Sequence, residues 1–421
     1  MEINKIAVIG GGISGLSIAH LLGDKYKVSV YEREARPGGL IKCDVIQGNL
    51  YHMVGGHVFN SRRQDVLEWF WRFFDKESEF TKSIRNSIIS MENGTLVGYP
   101  IENHAYMMED SMRKKFIEDL LLIAKNRDYD SINFEEFLRK RFGDTLYTEY
   151  FQPYNEKIWR RSLDKVPLFW LEGKLPMPSV EEIIYNNFVH VRESKMVHST
   201  FYYPRLNGSQ FLADRLAEGL NIKYNANIDK IRRKGKCWIV DNEVFDKVIF
   251  CGNIKEFPSI FSNSLDLSSF EEDIEELDFH GTTSVFCEIE SNPYSWIYMP
   301  SRLHSSHRII CTGNFSPLNN STEKNTASLE FTDYISKEDI DRDLTKIPFS
   351  PKYITHTYTK YTYPIQSIHT RKMVGSLKKE LFGNNIFLLG RFAEWEYYNM
   401  DAAIGAAIDL SKIITADLPT E

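Results

Sequence analysis

Residues 5–22 read KIAVIGGGISGLSIAHLL: a short β-rich apolar run, a set of spaced glycines and a run with helical periodicity, with Gly23 just beyond it. The turn between the two runs has the form G-x-G-x-x-G at Gly10, Gly12 and Gly15, with Ile13 and Ser14 at the helix mouth. The three glycines serve separate purposes, namely a tight turn, close approach of the backbone to a pyrophosphate, and close packing of helix on strand. The helix N-terminus then offers unpaired N–H groups to phosphate. A second strand, YKVSVYE, ends in Glu32, 17 residues after Gly15. A carboxylate there can accept hydrogen bonds from both ribose hydroxyls of an adenosine. Strand, glycine turn, helix, strand and acid in this order predict an α/β, Rossmann-like dinucleotide seat.

The remaining composition narrows the partners. At 421 residues the chain is long enough for two or three domains, and 42% hydrophobic with 26% charged residues is ordinary for a soluble globular protein. A net charge of -7 gives no reason to expect nucleic acid or an anionic membrane, so an anionic substrate needs a local basic pocket. The five cysteines are scattered without a C-x-x-C pair, which suggests neither a disulfide framework nor a metal site. No leader pattern precedes the first strand and no apolar run of about 18 or more residues could span a bilayer, so the expected location is cytoplasmic.

Further along, residues 65–80, 103–125 and the stretch NFEEFLRKRFGDTLYTEYFQPYNEKIW have helical periodicity, with Asn133 as an N-cap. Short strands follow over 221–253, more strand-like runs over 282–335, then the strand NNIFLLGRF and the small-residue helix MDAAIGAAIDLSKII. The expected organisation is discontinuous. Residues 1–64, 201–255 and 352–421 build the dinucleotide domain, 65–200 a mainly helical insertion, and 256–351 a β-rich substrate domain.

A glycine doublet, Gly38-Gly39, flanked by Arg33 and Leu40, follows Glu32 at the distance found in flavoprotein oxidases and mutases. That similarity points to FAD rather than NAD in a GR2-type Rossmann-like domain. Together with GGHVFN, FQPYNEKIW, YPRLNGSQFL and LLGRFAEWEYYNMDAAI, the chain resembles the UDP-galactopyranose mutase branch of the FAD amine oxidase and protoporphyrinogen oxidase superfamily. The resemblance implies an isomerase that interconverts pyranose and furanose forms of a nucleotide sugar, UDP-galactose-like, for surface polysaccharide biosynthesis. Reduced FAD would attack the anomeric carbon through N5, and NAD(P)H would serve only to reduce the flavin. A homodimer is left open.

The same resemblance assigns residues. His57 of the GGH turn would sit by the reactive edge of the flavin, and Arg391, after Gly390, would contact cofactor and substrate. Asn399, Met400, Asp401 and Ala402 would open the last helix beneath the isoalloxazine, where a helix N-terminus favours negative charge; Asp401 serves equally well as a plain N-cap. Tyr154 would stack on uracil, Trp159 would line the sugar pocket and Tyr397 would bond the diphosphate. Phe151 shares a helix face with Tyr154 by its i, i+3 spacing, so either ring could stack. Asn155 and Lys157 make that face too polar for a plain core stripe.

Departures from the family pattern are specific. The family's second histidine is Asn60 here, the loop GKLPMPSVEEII lacks the family's arginine, Trp296 stands where another arginine is expected, and Phe331 replaces a tyrosine. A buried diphosphate without cationic partners is heavily penalised, which leaves Arg192, Arg205, Arg302 and Arg308 as replacements. The competing class is an FAD-dependent oxidoreductase of the amine oxidase type, with Tyr397 and Tyr398 beside Trp395 as an aromatic cage. PYNEKIW counts against it.

Overall fold

The computed structural model describes residues 4–168, 178–191, 200–321 and 325–416. Its first sheet is wholly parallel, in the spatial order Ile386–Leu388, Lys247–Phe250, Lys5–Ile9, Lys27–Tyr31 and Ile222–Lys223. Alternate side chains of the central strand leave by opposite faces, so both faces need cover and the strand reads as one apolar run. Ile6 and Val8 pack with Ile18, Ala19 and Leu22 of the helix Ile13–Leu22, and with Ala407 and Ile414 of the helix Met400–Ala416. Ala7 and Ile9 pack on the other face with Val374, Leu377 and Leu381 of the helix Thr370–Phe382.

A second sheet of seven strands runs Lys352–Ile365, Asp278–Ile289, Asn325–Thr332, Arg308–Ile310, Trp296–Tyr298, Ser87–Ser90 and Leu96–Gly98. Its pairs are antiparallel except Trp296–Tyr298 with Ser87–Ser90. This sheet divides the chain differently from the boundaries expected. Lys352–Ile365, assigned to the dinucleotide domain, is an edge strand on Asp278–Ile289, and two strands of the supposed helical insertion extend the opposite side. Non-local pairing decides where a strand resides, and it leaves no local trace.

Among the described residues, the longer helices of the insertion are Asp110–Asn126, Phe134–Leu146, Gln152–Trp159 and Val180–Phe188. Asn133 caps as expected, its side chain accepting from the Glu136 N–H at 2.9 Å. The expected helix over 65–80 stops at Phe70, because the aromatic residues after it fold into a ring cluster and Phe80 begins a strand paired with Thr200–Pro204. The helix expected from 103 begins only at Asp110, after two short 3₁₀ turns. Among the described residues no helix is long and apolar enough to cross a membrane.

Candidate active site

The two sheets enclose a cleft of about 760 Å³ at the carboxyl ends of the parallel strands. The glycine loop forms one end. Gly10 has φ +111°, and a Cβ on Gly15 would stand 1.9 Å from the Gly10 carbonyl oxygen, so the helix can rest on the strand only through glycine. Glu32, 6% exposed, closes the strand beside it. Its Oε2 accepts from the Gly11 N–H at 2.6 Å and its Oε1 from the Glu34 N–H at 2.9 Å, which holds the carboxylate at the cleft wall. The Gly38 N–H donates to the Gly11 oxygen at 3.0 Å, tying the doublet to the loop.

Gly10, Gly12, Ile13, Ser14, Gly15, Glu32, Arg33, Gly38, Gly39, Leu40, His57, Gly390, Arg391, Asn399, Met400, Asp401 and Ala402 all line this one cleft. The middle of the cleft carries unspent polarity. Nε and Nη2 of Arg391 and Nε2 of His57 are buried and find no partner among the described residues. Buried donors of this kind are costly unless a ligand meets them. An elongated dinucleotide, with ribose at Glu32, pyrophosphate at the glycine turn and a polar ring system at Arg391, fits these residues.

His57 owes its place to the glycines before it. A Cβ on Gly56 would lie 2.5 Å from Ile310 Cγ2, so the turn presses directly against the strand Arg308–Ile310. The Gly55 N–H donates to Glu330 Oε1 at 2.9 Å, and the His57 N–H reaches His52 Nδ1 at 3.4 Å. Burial first, and then the Arg391 cation, push the His57 imidazole down to about 4, so it is neutral at pH 7. Behind it His52 is fully buried, its Nε2 2.8 Å from the Tyr203 hydroxyl.

A second chamber of about 170 Å³ shares Arg308, Tyr363 and Tyr397 with the cleft and is otherwise walled by Asn155, Ile158, Trp159, His280, His307 and the turn Pro364–Gln366. Arg391 lies 4.4 Å from the Tyr397 ring centre and 4.9 Å from that of Tyr363, and the two tyrosines stack at 5.5 Å. The candidate substrate residues therefore divide. Asn155, Trp159 and Tyr397 reach the chamber, whereas Phe151 and Tyr154 line neither cavity. Phe151 packs on Phe142 at 4.9 Å, and Tyr154 stacks on Tyr150 at 5.6 Å. A π turn, Tyr147–Phe151, precedes the helix, and within the helix Tyr154 and Trp159 are five positions apart, about 140° around the axis, so they cannot share a face. Residues 155, 158 and 159 then share the cavity face by their i, i+3 and i+4 spacing. Lys157 turns elsewhere and donates to the carbonyls of Met299 and Ser306 at 3.0 and 2.8 Å.

Of the replacement arginines among the described residues, only Arg308 is at the cavities. Arg205 donates to the Glu77 carbonyl at 3.3 Å and exposed Arg302 to that of Thr148 at 3.4 Å, while Arg192 lies outside the described residues. Arg308 is in a short ion pair with Glu330 and donates to the Tyr363 hydroxyl at 3.0 Å. Burial alone would weaken its charge, but Glu330 outweighs that and keeps the guanidinium protonated. The sequence reading missed Arg85, which lines the cleft. It donates from Nε to Ser87 Oγ at 2.9 Å and from Nη2 to the Tyr298 hydroxyl at 2.5 Å. Its Cζ sits 5.1 Å from the Trp296 ring centre. Tyr363, Glu330 and His307 were missed too; no local motif marks any of them.

The fold is that of solved structures of a UDP-galactopyranose mutase and a putrescine oxidase. A solved structure of reduced UDP-galactopyranose mutase matches with a TM-score of 0.87 over 100% of this chain and 96% of that one, at 20% identity. The family pattern described as "NAD(P)-binding Rossmann-like domain" matches residues 8–76. The dTDP-fucopyranose mutase of Escherichia coli is 24% identical over 429 residues, covering 98% of each chain. The UDP-galactopyranose mutase of Mycoplasma genitalium is 21% identical over 423 residues, covering 95% of this chain and 92% of that one. The resemblance carried by the motifs thus runs the length of the chain. Both of these relatives are named pyranose mutases, which supports an enzyme of the isomerase class. The coproporphyrinogen III oxidase of Staphylococcus aureus matches as well, 22% identical over 278 residues and covering 58% of each chain.

Proposed function

We propose that this chain is a flavin-dependent mutase that interconverts the pyranose and furanose forms of a nucleotide sugar. The observation that carries the reading is the shared wall: Arg308, Tyr363 and Tyr397 belong both to the dinucleotide cleft and to the chamber beside Trp159. A molecule held in the chamber therefore meets the cofactor seat directly. FAD, bound there in its reduced form, supplies a nucleophilic ring nitrogen for the anomeric carbon of the sugar. The NAD(P)H called for by the resemblance serves to bring it to that form.

The chain's own residues supply position and charge. Glu32 takes the adenosine ribose, and the N–H groups at the start of the helix Ile13–Leu22 take the pyrophosphate. Arg391 and the first turn of the helix Met400–Ala416 stabilise negative charge on the ring system. His57, neutral at pH 7, can accept or donate a proton at Nε2, its unpartnered nitrogen. Trp159 and Asn155 flank the nucleotide sugar, and Tyr397 stands at the junction where the diphosphate passes. The names of the relatives bring two nucleotides, UDP and dTDP, with UDP-galactose as the type of sugar.

Titration of the dithionite-reduced, FAD-loaded protein with UDP and dTDP, followed by tryptophan fluorescence, tests this. Saturable quenching in the micromolar range, lost in Trp159→Ala and kept in Phe151→Ala, is expected. A flat response to both nucleotides overturns the reading and directs attention to oxygen consumption, the signature of the oxidoreductase class.

A further inference from the structure

We propose that Ser209 is a positioning residue for the cofactor. It pins together the two turns that reach the cleft, residues 37–41 with the glycine doublet and residues 53–57 with His57, at the point where both leave the interior. The inference rests on the flavin reading of the cleft and adds the group that holds that seat in shape.

Both turns spring from one hairpin. The strands Cys43–Ile46 and Asn49–His52 are antiparallel, and Cys43 opposite His52 is the pair at the open end. Residues 37–41 run into the first strand, residues 53–57 continue from the second, and 38–41 and 55–57 line the cleft. Gly38 and Gly39 have φ +126° and +55°, a freedom that needs an outside hold. The start of the helix Gly208–Ala217, in the stretch LNGSQFL, supplies it. Ser209 Oγ donates to the Ile41 carbonyl at 2.7 Å and Gln210 Nε2 to the Pro37 carbonyl at 3.1 Å, so neighbouring residues grip the turn at both ends. Gly208 makes the room: its φ is +54°, and a Cβ there would lie 2.7 Å from the Tyr203 hydroxyl and 3.0 Å from Cys43 Sγ.

Proton supply sets the direction of the bonds behind Ser209. Its single hydroxyl hydrogen goes to the Ile41 carbonyl, a stronger acceptor than Cys43 Sγ at 3.3 Å, so towards His52 Nδ1 at 3.2 Å the oxygen accepts. His52 therefore carries its proton on Nδ1, and its Nε2 accepts from the Tyr203 hydroxyl at 2.8 Å. The Tyr203 oxygen accepts in turn from Asn319 Nδ2 at 3.1 Å, and the same amide donates to the Thr312 carbonyl at 2.8 Å. The His57 N–H, 3.4 Å from His52 Nδ1, is beyond the usual hydrogen-bond range and does not decide the tautomer. Ser209, His52 and Tyr203 are wholly buried, so water cannot stand in for a lost member. Ser209 thus joins Ile41, at the root of the doublet turn, to His52, at the root of the His57 turn.

Equilibrium dialysis of the holoprotein against graded FAD, with visible circular dichroism of the bound flavin, tests this. Ser209→Ala strands the Ile41 carbonyl and His52 Nδ1. It should bind FAD about fivefold more weakly, the size of one buried hydrogen bond, with altered flavin dichroism. Tyr203→Phe removes a bond from the same buried chain but leaves Ser209 on Ile41. It should lose thermal stability as Ser209→Ala does, yet keep its FAD affinity within about twofold of the parent and its flavin dichroism unchanged. Gln210→Met frees the Pro37 end and should weaken FAD binding by a factor similar to Ser209→Ala. Parent-like affinity and dichroism in Ser209→Ala, or in Gln210→Met if Ser209→Ala does not fold, overturn the assignment and leave the flavin reading intact. Equal weakening in Ser209→Ala and Tyr203→Phe also overturns it, because the chain of bonds then only stabilises the interior. A parent protein that retains no FAD overturns the flavin reading and the assignment together.

Discussion

Replacing Glu330 by glutamine should cost about 3 kcal/mol of folding stability at pH 7. The Glu330 side chain is fully buried. It accepts from Arg308, from the Gly55 N–H at 2.9 Å and from His307 Nε2 at 3.5 Å. Glutamine keeps an acceptor for Gly55 but cannot neutralise the guanidinium. Removing one partner of a buried ion pair costs roughly 3–5 kcal/mol. The low end applies because the Arg308 side chain is 20% exposed and keeps its bond to Tyr363. Burial pushes the Glu330 carboxyl up, but Arg308 and then His307 outweigh it and hold the group well below its ordinary 4.5. Its contribution is therefore complete above the unfolded value and declines as pH falls from about 4.5 toward the lower folded value. Urea unfolding of the FAD-loaded parent and Glu330→Gln should show a gap that is constant from about pH 8 to 5 and narrows below. The double variant Arg308→Met, Glu330→Met should recover most of the loss, since an apolar pair of similar volume leaves no charge stranded. A gap under about 1 kcal/mol at pH 7, or a double variant worse than the single, would refute the reasoning.

Gly15→Ala should lose the cofactor: a methyl group 1.9 Å from the Gly10 oxygen forces the first helix off its strand, and the purified protein should lack flavin absorbance. A fully flavinated Gly15→Ala protein would show that the helix contact does not set the seat. His52, driven down to about 3 chiefly by burial, stays neutral in the native state while the unfolded chain takes up its proton near 6.5. Its stabilising effect is thus whole above pH 6.5 and lost progressively toward pH 3, by up to about 4 kcal/mol. Acid titration of stability should be measurably flatter in His52→Gln, and equal slopes would count against a buried neutral imidazole.

The residues of the candidate dinucleotide seat could be brought together from the sequence because their determinants are local. Gly10, Gly15 and Glu32 act on neighbours within one β-turn-α-β unit, and the Gly38–Gly39 doublet and the run from Gly390 to Ala402 reach the same cleft. The substrate side was legible only in part. The resemblance placed Tyr154 with Trp159 at the substrate and helical spacing added Phe151 to Tyr154, but in the fold Phe151 packs on Phe142 and Tyr154 stacks on Tyr150. Arg85 escaped because its meaning depends on a parallel register with a strand about 200 residues away, and the edge strand Lys352–Ile365 was misassigned for the same reason. Short-range pattern specifies elements and turns; which strand lies beside which depends on pairings that no window along the chain contains.

The order of the parallel sheet has a consequence for how the chain is made. The central strand Lys5–Ile9 has as its neighbours Lys27–Tyr31 and Lys247–Phe250, and the sheet closes only with Ile386–Leu388. The helix Met400–Ala416 then covers the helix that begins at Ile13. As synthesis runs from Lys5–Ile9 toward Ile386–Leu388, the candidate nucleotide seat waits unfinished while the intervening residues are added. The helix Ile13–Leu22 covers one face of the first strand early, but that cover is completed only when the helix Met400–Ala416 leaves the ribosome. A chain stalled or cut before residue 386 would carry every glycine of the fingerprint and still present a bare, apolar sheet edge. Such a chain is a substrate for chaperones, and neither sheet can be cut out of this protein as a continuous stretch of chain.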